Sequence, residues 1–108
     1  MSVSFVNELR NDGDVIVLGS GEQPILHLRV QAAELWDAIR IDAPASQSVA
    51  AVRDAALVAF YPNGAIPAEF IVKLRGFEIL DEAESLVASG IRDGSTLLLA
   101  RRRRRPVK

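Results

Sequence analysis

From Ile25 onward, apolar and polar positions alternate along the chain. Leu26, Leu28 and Val30 alternate with His27, Arg29 and Gln31, the period of two that marks a strand with one face buried. A second run, Leu35–Asp42, sets Ile39 and Ile41 on one face and Arg40 and Asp42 on the other. The two runs read as a hairpin across Gln31–Glu34, although that stretch lacks an Asn-Gly type of turn. A helical piece over Ala32–Ile41 is the competing reading. Pro44 blocks continuation, and Ser48 is placed to cap a helix by accepting from an unpaired amide of its first turn. Val49, Val52, Ala56 and Phe60 follow at i, i+3, i+7 and i+11, one stripe of an α-helix. The alanine-rich run Ala50–Ala59 favours helix by propensity, and Pro62-Asn63-Gly64 ends it.

Alternation returns at Phe70, Val72 and Leu74, interleaved with Ile71, Lys73 and Arg75, and stops at Gly76. A short strand is expected around Phe77–Leu80, then a loop over Asp81–Gly90 carrying one helical turn pinned by Leu86. Asp93-Gly94 makes a turn before a last strand, Thr96–Ala100, with Leu97 and Leu99 on one face. Upstream of Ile25, the run Val15–Leu18 lies between Asp12-Gly13 and Gly19-Ser20-Gly21, which permits a short strand without requiring one. That Gly-Ser-Gly reads as a turn, because no strand-then-helix context surrounds it as a phosphate loop needs. The expectation is an α+β domain over residues 25–100, with a partly flexible leader (1–24) and a basic tail (101–108). Its elements run β-β-α-β-β-β, a mixed sheet of four to five strands packed on one helix. Such a two-layer arrangement buries every apolar face of a short chain.

Composition narrows the function classes. The 108 residues are 49% hydrophobic and 25% charged, the balance of an ordinary globular domain. There is no cysteine, which removes disulfides, thiolate metal sites and a cysteine nucleophile. The first residues lack the basic start and apolar run of a signal peptide. No stretch approaches the ~18 apolar residues of a membrane span, so a cytoplasmic setting is expected. The formal net charge of −1 hides a segregation: residues 1–100 hold all 14 acids against seven bases, and the remaining six bases lie in Arg-Arg-Arg-Arg-Arg-Pro-Val-Lys, 101–108.

The second half resembles ubiquitin and its relatives in wording as well as order. The stretches are Lys73-Leu-Arg-Gly76, Leu80-Asp81, Ser85-Leu86 and Gly90-Ile91-Arg-Asp-Gly-Ser95-Thr96-Leu97-Leu-Leu99. Ser48-Val49 followed by Val52-Arg53 is similar to the start of ubiquitin's helix. The likeness spans Ile25–Arg102 and extends to bacterial ubiquitin-like proteins of unassigned role. It implies the β-grasp fold. Ubiquitin and the sulfur carriers end in Gly-Gly, whereas this sequence has no glycine after Gly94, so conjugation or sulfur carriage is not expected. Where the family's apolar recognition patch has large aliphatics, this chain has Lys73 and Ala100.

Catalysis finds little support. His27, the one histidine, falls on the outward face of a strand with no evident partner and is read as a solvated residue. Asp81, Glu82 and Glu84 form a solvated acidic loop without the spacing of a hard-cation site. No catalytic residue, cofactor or metal is expected. Trp36 and Tyr61 suit either a contact surface or, more often in a small domain, the edge of the core. Arg101, Arg102, Arg103, Arg104 and Arg105 repel one another and cannot all be buried. An anionic membrane, a phosphate backbone, an acidic protein or the acidic body itself would each neutralise them, and the bland alternative is a solvated tail. Without interleaved aromatics the tail would bind nucleic acid but scarcely specify it. The expected function is therefore a non-catalytic protein-interaction module. Lys73, Arg75 and Ala100 on one sheet face, with the Arg101–Arg105 arm, would hold an acidic protein partner. An unusual modifier or sulfur-carrier relative, and a nucleic-acid accessory protein, are the alternatives.

Overall fold

The computed structural model describes residues 15–20 and 22–102. Residues 1–14, Gly21 and 103–108 lie outside the described residues, and with them most of the expected leader and tail. The strands are β1 (Val15–Val17), β2 (Ile25–Ala32), β3 (Asp37–Pro44), β4 (Phe70–Leu74), β5 (Phe77–Glu78) and β6 (Thr96–Arg101); the helix α1 is Val49–Phe60. They form one mixed sheet in the order β1-β3-β2-β6-β4-β5. The expected β-β-α-β-β-β order is realised over β2 to β6. The sheet has six strands, one more than the upper expectation, because Val15–Val17 adds in parallel to β3. A three-residue run with one buried side chain gives too little alternation to require a strand from sequence.

The hairpin β2–β3 pairs antiparallel from Ile25 with Pro44 to Ala32 with Asp37, which settles the choice between strand and helix over Ala32–Ile41. Its turn is Ala33–Trp36. There the Leu35 and Trp36 amides both donate to the Ala32 carbonyl at 3.2 Å. The β4–β5 turn is shorter. Leu74 pairs with Phe77, and the two residues between, Arg75 and Gly76, have φ of 53° and 86°. Positive φ at both central positions is the type I′ geometry that matches strand twist. Glycine adopts it freely, whereas Arg75 is held there at some cost.

The helix begins where its capping chemistry places it. The Ala51 amide donates to Ser48 Oγ at 3.1 Å. The Val49 and Ala50 amides, which no helix can satisfy internally, donate to the carbonyls of Glu84 and Glu82 at 3.0 and 2.8 Å. The 81–90 loop thus folds against the helix N-terminus. Its one helical turn is closed by the Ser89 amide on the Ser85 carbonyl, and Leu86 is fully buried beneath it. Between the layers, the α1 stripe of Val49, Val52, Ala56 and Phe60 joins one buried cluster with Leu28, Val30, Ile41, Phe70, Val72, Leu97 and Leu99.

Leu86→Ala should lower stability by about 2–5 kcal/mol, the usual range for a fully buried leucine. Ser48→Ala should cost about 1 kcal/mol. Urea denaturation should show both as lower midpoints with unchanged slope.

Candidate functional site

The inner face of the sheet lies under α1, and among the described residues no element covers its other face. Registers fix which side chains meet there. Gln31 stands between Ala38 on β3 and Leu98 on β6, and Leu98 stands opposite Lys73 on β4. One step along, Ala100 stands opposite Ile71. Arg29 is directly opposite Arg40. The face therefore has a small apolar centre, Leu98, Ala100 and Ile71, flanked by Arg29, Arg40 and Lys73. Like charges directly opposite on a sheet are unfavourable, and none of these three cations forms an ion pair among the described residues.

Trp36 borders this face from the β2–β3 turn, where Arg29, Gln31, Ala38 and Leu98 line a shallow groove beside it. Its backbone is left-handed, φ 54°, an uncommon state for a bulky residue, and its side chain is 95% exposed. The expectation that Trp36 fills the edge of the core is thus incorrect. The turn directs it away from the cluster that Tyr61 joins. Tyr61 does pack at the core edge, 5.4 Å from the Phe70 ring.

Arg101 roots the C-terminal arm. Its guanidinium takes Glu34 in a two-pronged contact at 2.7 and 3.2 Å and Glu69 at 3.0 Å, with its centre 4.6 Å above the Phe70 ring. The Tyr61 hydroxyl donates to the same Glu34 carboxylate at 2.6 Å. These donors, Arg101 first and Tyr61 second, hold Glu34 down to about 2 from its ordinary 4.5. Burial and the Glu34 carboxylate push Tyr61 up. The next residue, Arg102, donates its amide to the Glu69 carbonyl at 2.6 Å and its Nε to the Ala68 carbonyl at 3.1 Å. Its Nη1 lies 3.9 Å from Glu78. The acidic body thus neutralises the first arginines of the run. Arg103, Arg104 and Arg105 lie outside the described residues.

The other expected positions divide. Lys73 and Ala100 share the open face, while Arg75 projects from the β4–β5 turn and is exposed. His27 does point outward but has a partner. Its Nδ1 lies 2.7 Å from Asp93 Oδ1, which also accepts the His27 amide at 2.8 Å. Asp93 raises the His27 pKa, helped by Asp42, whose Oδ2 is 3.9 Å from Nε2. In the acidic loop, Glu82 is half-buried and bound to Arg53 of α1, so that loop is not wholly solvated. Among the described residues no group of three or more His, Asp or Glu is arranged to hold a metal ion, and no helix is long and apolar enough to cross a membrane.

Two pH responses follow. His27 has its pKa raised above 6.5 by folding, so its contribution is full below that value and lost as pH rises through the folded pKa. The urea-midpoint gap between wild type and His27→Gln should therefore narrow from pH 6 to pH 9. Glu34 is depressed from 4.5 to about 2, so its contribution is present above 4.5 and lost as pH falls through 2. The gap between wild type and Arg101→Ala should close over that acid window and shrink in high salt.

No protein-family model matches the chain, and no curated protein matches it. Solved structures do. Ubiquitin of Caldiarchaeum subterraneum is 18% identical over 77% of this chain and 100% of that one, with a TM-score of 0.62. The C-terminal ubiquitin-like domain of mouse tubulin-specific chaperone e is 18% identical over 82% of this chain and 97% of that one, TM-score 0.62. The crystal structure of ATBAG1 in complex with HSP70 is 17% identical over 71% of this chain and 40% of that one, TM-score 0.59. The chain has a ubiquitin-like fold, one helix on a mixed sheet.

Proposed function

We propose that this domain is a non-catalytic protein-interaction module of the cytoplasm, whose open sheet face binds an acidic segment of a protein partner. The Arg29–Arg40 pair carries the reading: two arginines stand directly opposite, and neither forms an ion pair among the described residues, the nearby Asp42 standing opposite His27 instead. An anionic ligand relieves the repulsion that the fold leaves in place. Trp36, almost wholly exposed at the rim of that face, supplies the large aromatic surface from which interface hot spots are built. Lys73 extends the positive edge, and Leu98 with Ala100 provides an apolar floor. Structural likeness to domains such as that of ATBAG1, solved in complex with HSP70, fits a scaffold that works by contact.

The Arg101–Arg105 arm takes a divided role in this proposal. Arg101 is the fixed root, spent on Glu34 and Glu69. Arg103, Arg104 and Arg105 supplement the face as added positive charge, and Arg75 contributes from the turn. A truncation meant to test the arm must therefore end after Arg102, so that the root stays intact.

Affinity capture from the native cell, with partners identified by mass spectrometry, tests the module. Trp36→Ala should weaken the dominant partner roughly 30-fold, the scale of a ~2 kcal/mol hot spot. Arg29→Glu with Lys73→Glu should abolish capture and its salt sensitivity, and truncation after Arg102 should weaken it several-fold. Full retention of every partner by the double variant would sink the proposal.

A further inference from the structure

β1 forms one edge of the sheet. β2, β3, β4 and β6 are held by their own ladders and by α1, whereas β1 touches the sheet through β3 alone. Its register is Val15 with Arg40, Ile16 with Ile41 and Val17 with Asp42, extended by the Leu18 amide on the Asp42 carbonyl at 2.8 Å. Parallel pairs are slightly less stable per residue than antiparallel ones. One side chain, Ile16, enters the core and is 2% exposed, while Val17 is 61% exposed. The connection to β2 crosses the end of β3 at Gly19. A Cβ there would come 2.6 Å from Pro44 Cγ, so the crossing chain lies flush on that ring without a side chain to lock it.

The fit of β1 to its seat is also incomplete in charge. Ile16 meets an apolar seat, but Val15 stands opposite Arg40, which is itself opposed by Arg29 on its other side. We infer that the edge of β3 is a strand-docking site, with β1 as its displaceable resident, for an extended partner segment. That segment runs parallel to β3, with an aliphatic residue in the Ile16 position and an acidic residue in the Val15 position. It gains the backbone ladder and the apolar seat that β1 uses, and adds a carboxylate beside Arg40 and Arg29, neither of which forms an ion pair among the described residues. The site is continuous with the open face, since Arg40 and Asp42 belong to both, and its acidic preference rests on the function proposed above.

The test uses the full chain and three labelled synthetic peptides of residues 12–20, followed by fluorescence anisotropy. The peptide with Val15→Glu should bind at least tenfold more tightly than the unaltered peptide, and the peptide with Ile16→Asp should not bind. Arg40→Ala in the protein should abolish the advantage of the glutamate peptide. Ile16→Asp in the protein, which loosens the resident strand, should tighten binding of both competent peptides. Because that variant could misfold, amide hydrogen exchange on the unaltered protein supplies a second readout. The Ile16–Leu18 amides should exchange at least 100-fold faster than those of Val30 and Leu97. Equal protection, or no peptide binding to either protein form, overturns the inference. A concentration-dependent dimer formed by exchange of β1 would assign the seat to a second copy and overturn the partner assignment. Peptide binding that survives Arg29→Glu with Lys73→Glu, alongside unimpaired capture by that variant, would count against the open face alone. Absence of peptide binding with normal capture behaviour would count against the strand site alone.

Discussion

The parallel pairing of β2 with β6 is the contact on which the rest of this molecule depends. It sets Arg29 through Ala32 beside Thr96 through Leu99, and so joins segments more than sixty residues apart in sequence. Each of the two hairpins is attached to the sheet through one of these strands. The buried residues Val30, Leu97 and Leu99 lie on them and meet the α1 stripe. Closing so long a loop is entropically unfavourable, and the apolar burial between sheet and helix is what offsets it. Once that pairing exists, the outer-face neighbours Gln31, Leu98 and Lys73 are brought into one row without further instruction.

The same pairing explains the position of the charges. Arg101 ends β6 at the level of Phe70, next to the β2–β3 turn that carries Glu34 and the short turn that carries Glu69. Two acids and an aromatic ring collect there around one guanidinium because three connections converge at that end of the sheet. Arg29, Arg40 and Lys73 lie within strands, and the acids nearest them in register, Asp42 beside Arg40 and Glu78 opposite Lys73, approach His27 and Arg102 instead. The division between satisfied and unsatisfied cations therefore follows topology. Cations at the ends of strands meet loop acids, whereas those in the middle of the open face do not.

The alternation over Ile25–Val30 and Phe70–Leu74 and the stripe from Val49 to Phe60 made the scaffold readable, because local period and global burial agree there. Ser48 was legible as a cap for the same reason. The partners of His27, Glu82 and Arg101 were not. Each bond joins residues far apart in sequence, and nothing in local pattern sets which loop faces which. Trp36 misled because composition favours burying an aromatic, while the sense of a four-residue turn, which only the backbone reveals, aims it outward. β1 was permitted and not demanded. The Arg29–Arg40 opposition was implicit in the alternation, yet it appears only once the hairpin register is known.

The carbonyls of Glu82 and Glu84 that satisfy the first amides of α1 also have a consequence for synthesis. Ser48, Val49 and Ala50 leave the ribosome more than thirty residues before Glu82 and Glu84. Until then, the start of the helix has only its serine cap and water to satisfy it. The following loop brings Leu86 under the helix at the same time as those carbonyls, and the partner strand of β2 emerges later still. Until the 81–90 segment follows, a nascent chain of this sequence therefore holds an incompletely capped helix beside an open hairpin. The sheet gains the strand that joins its two hairpins only when β6 follows.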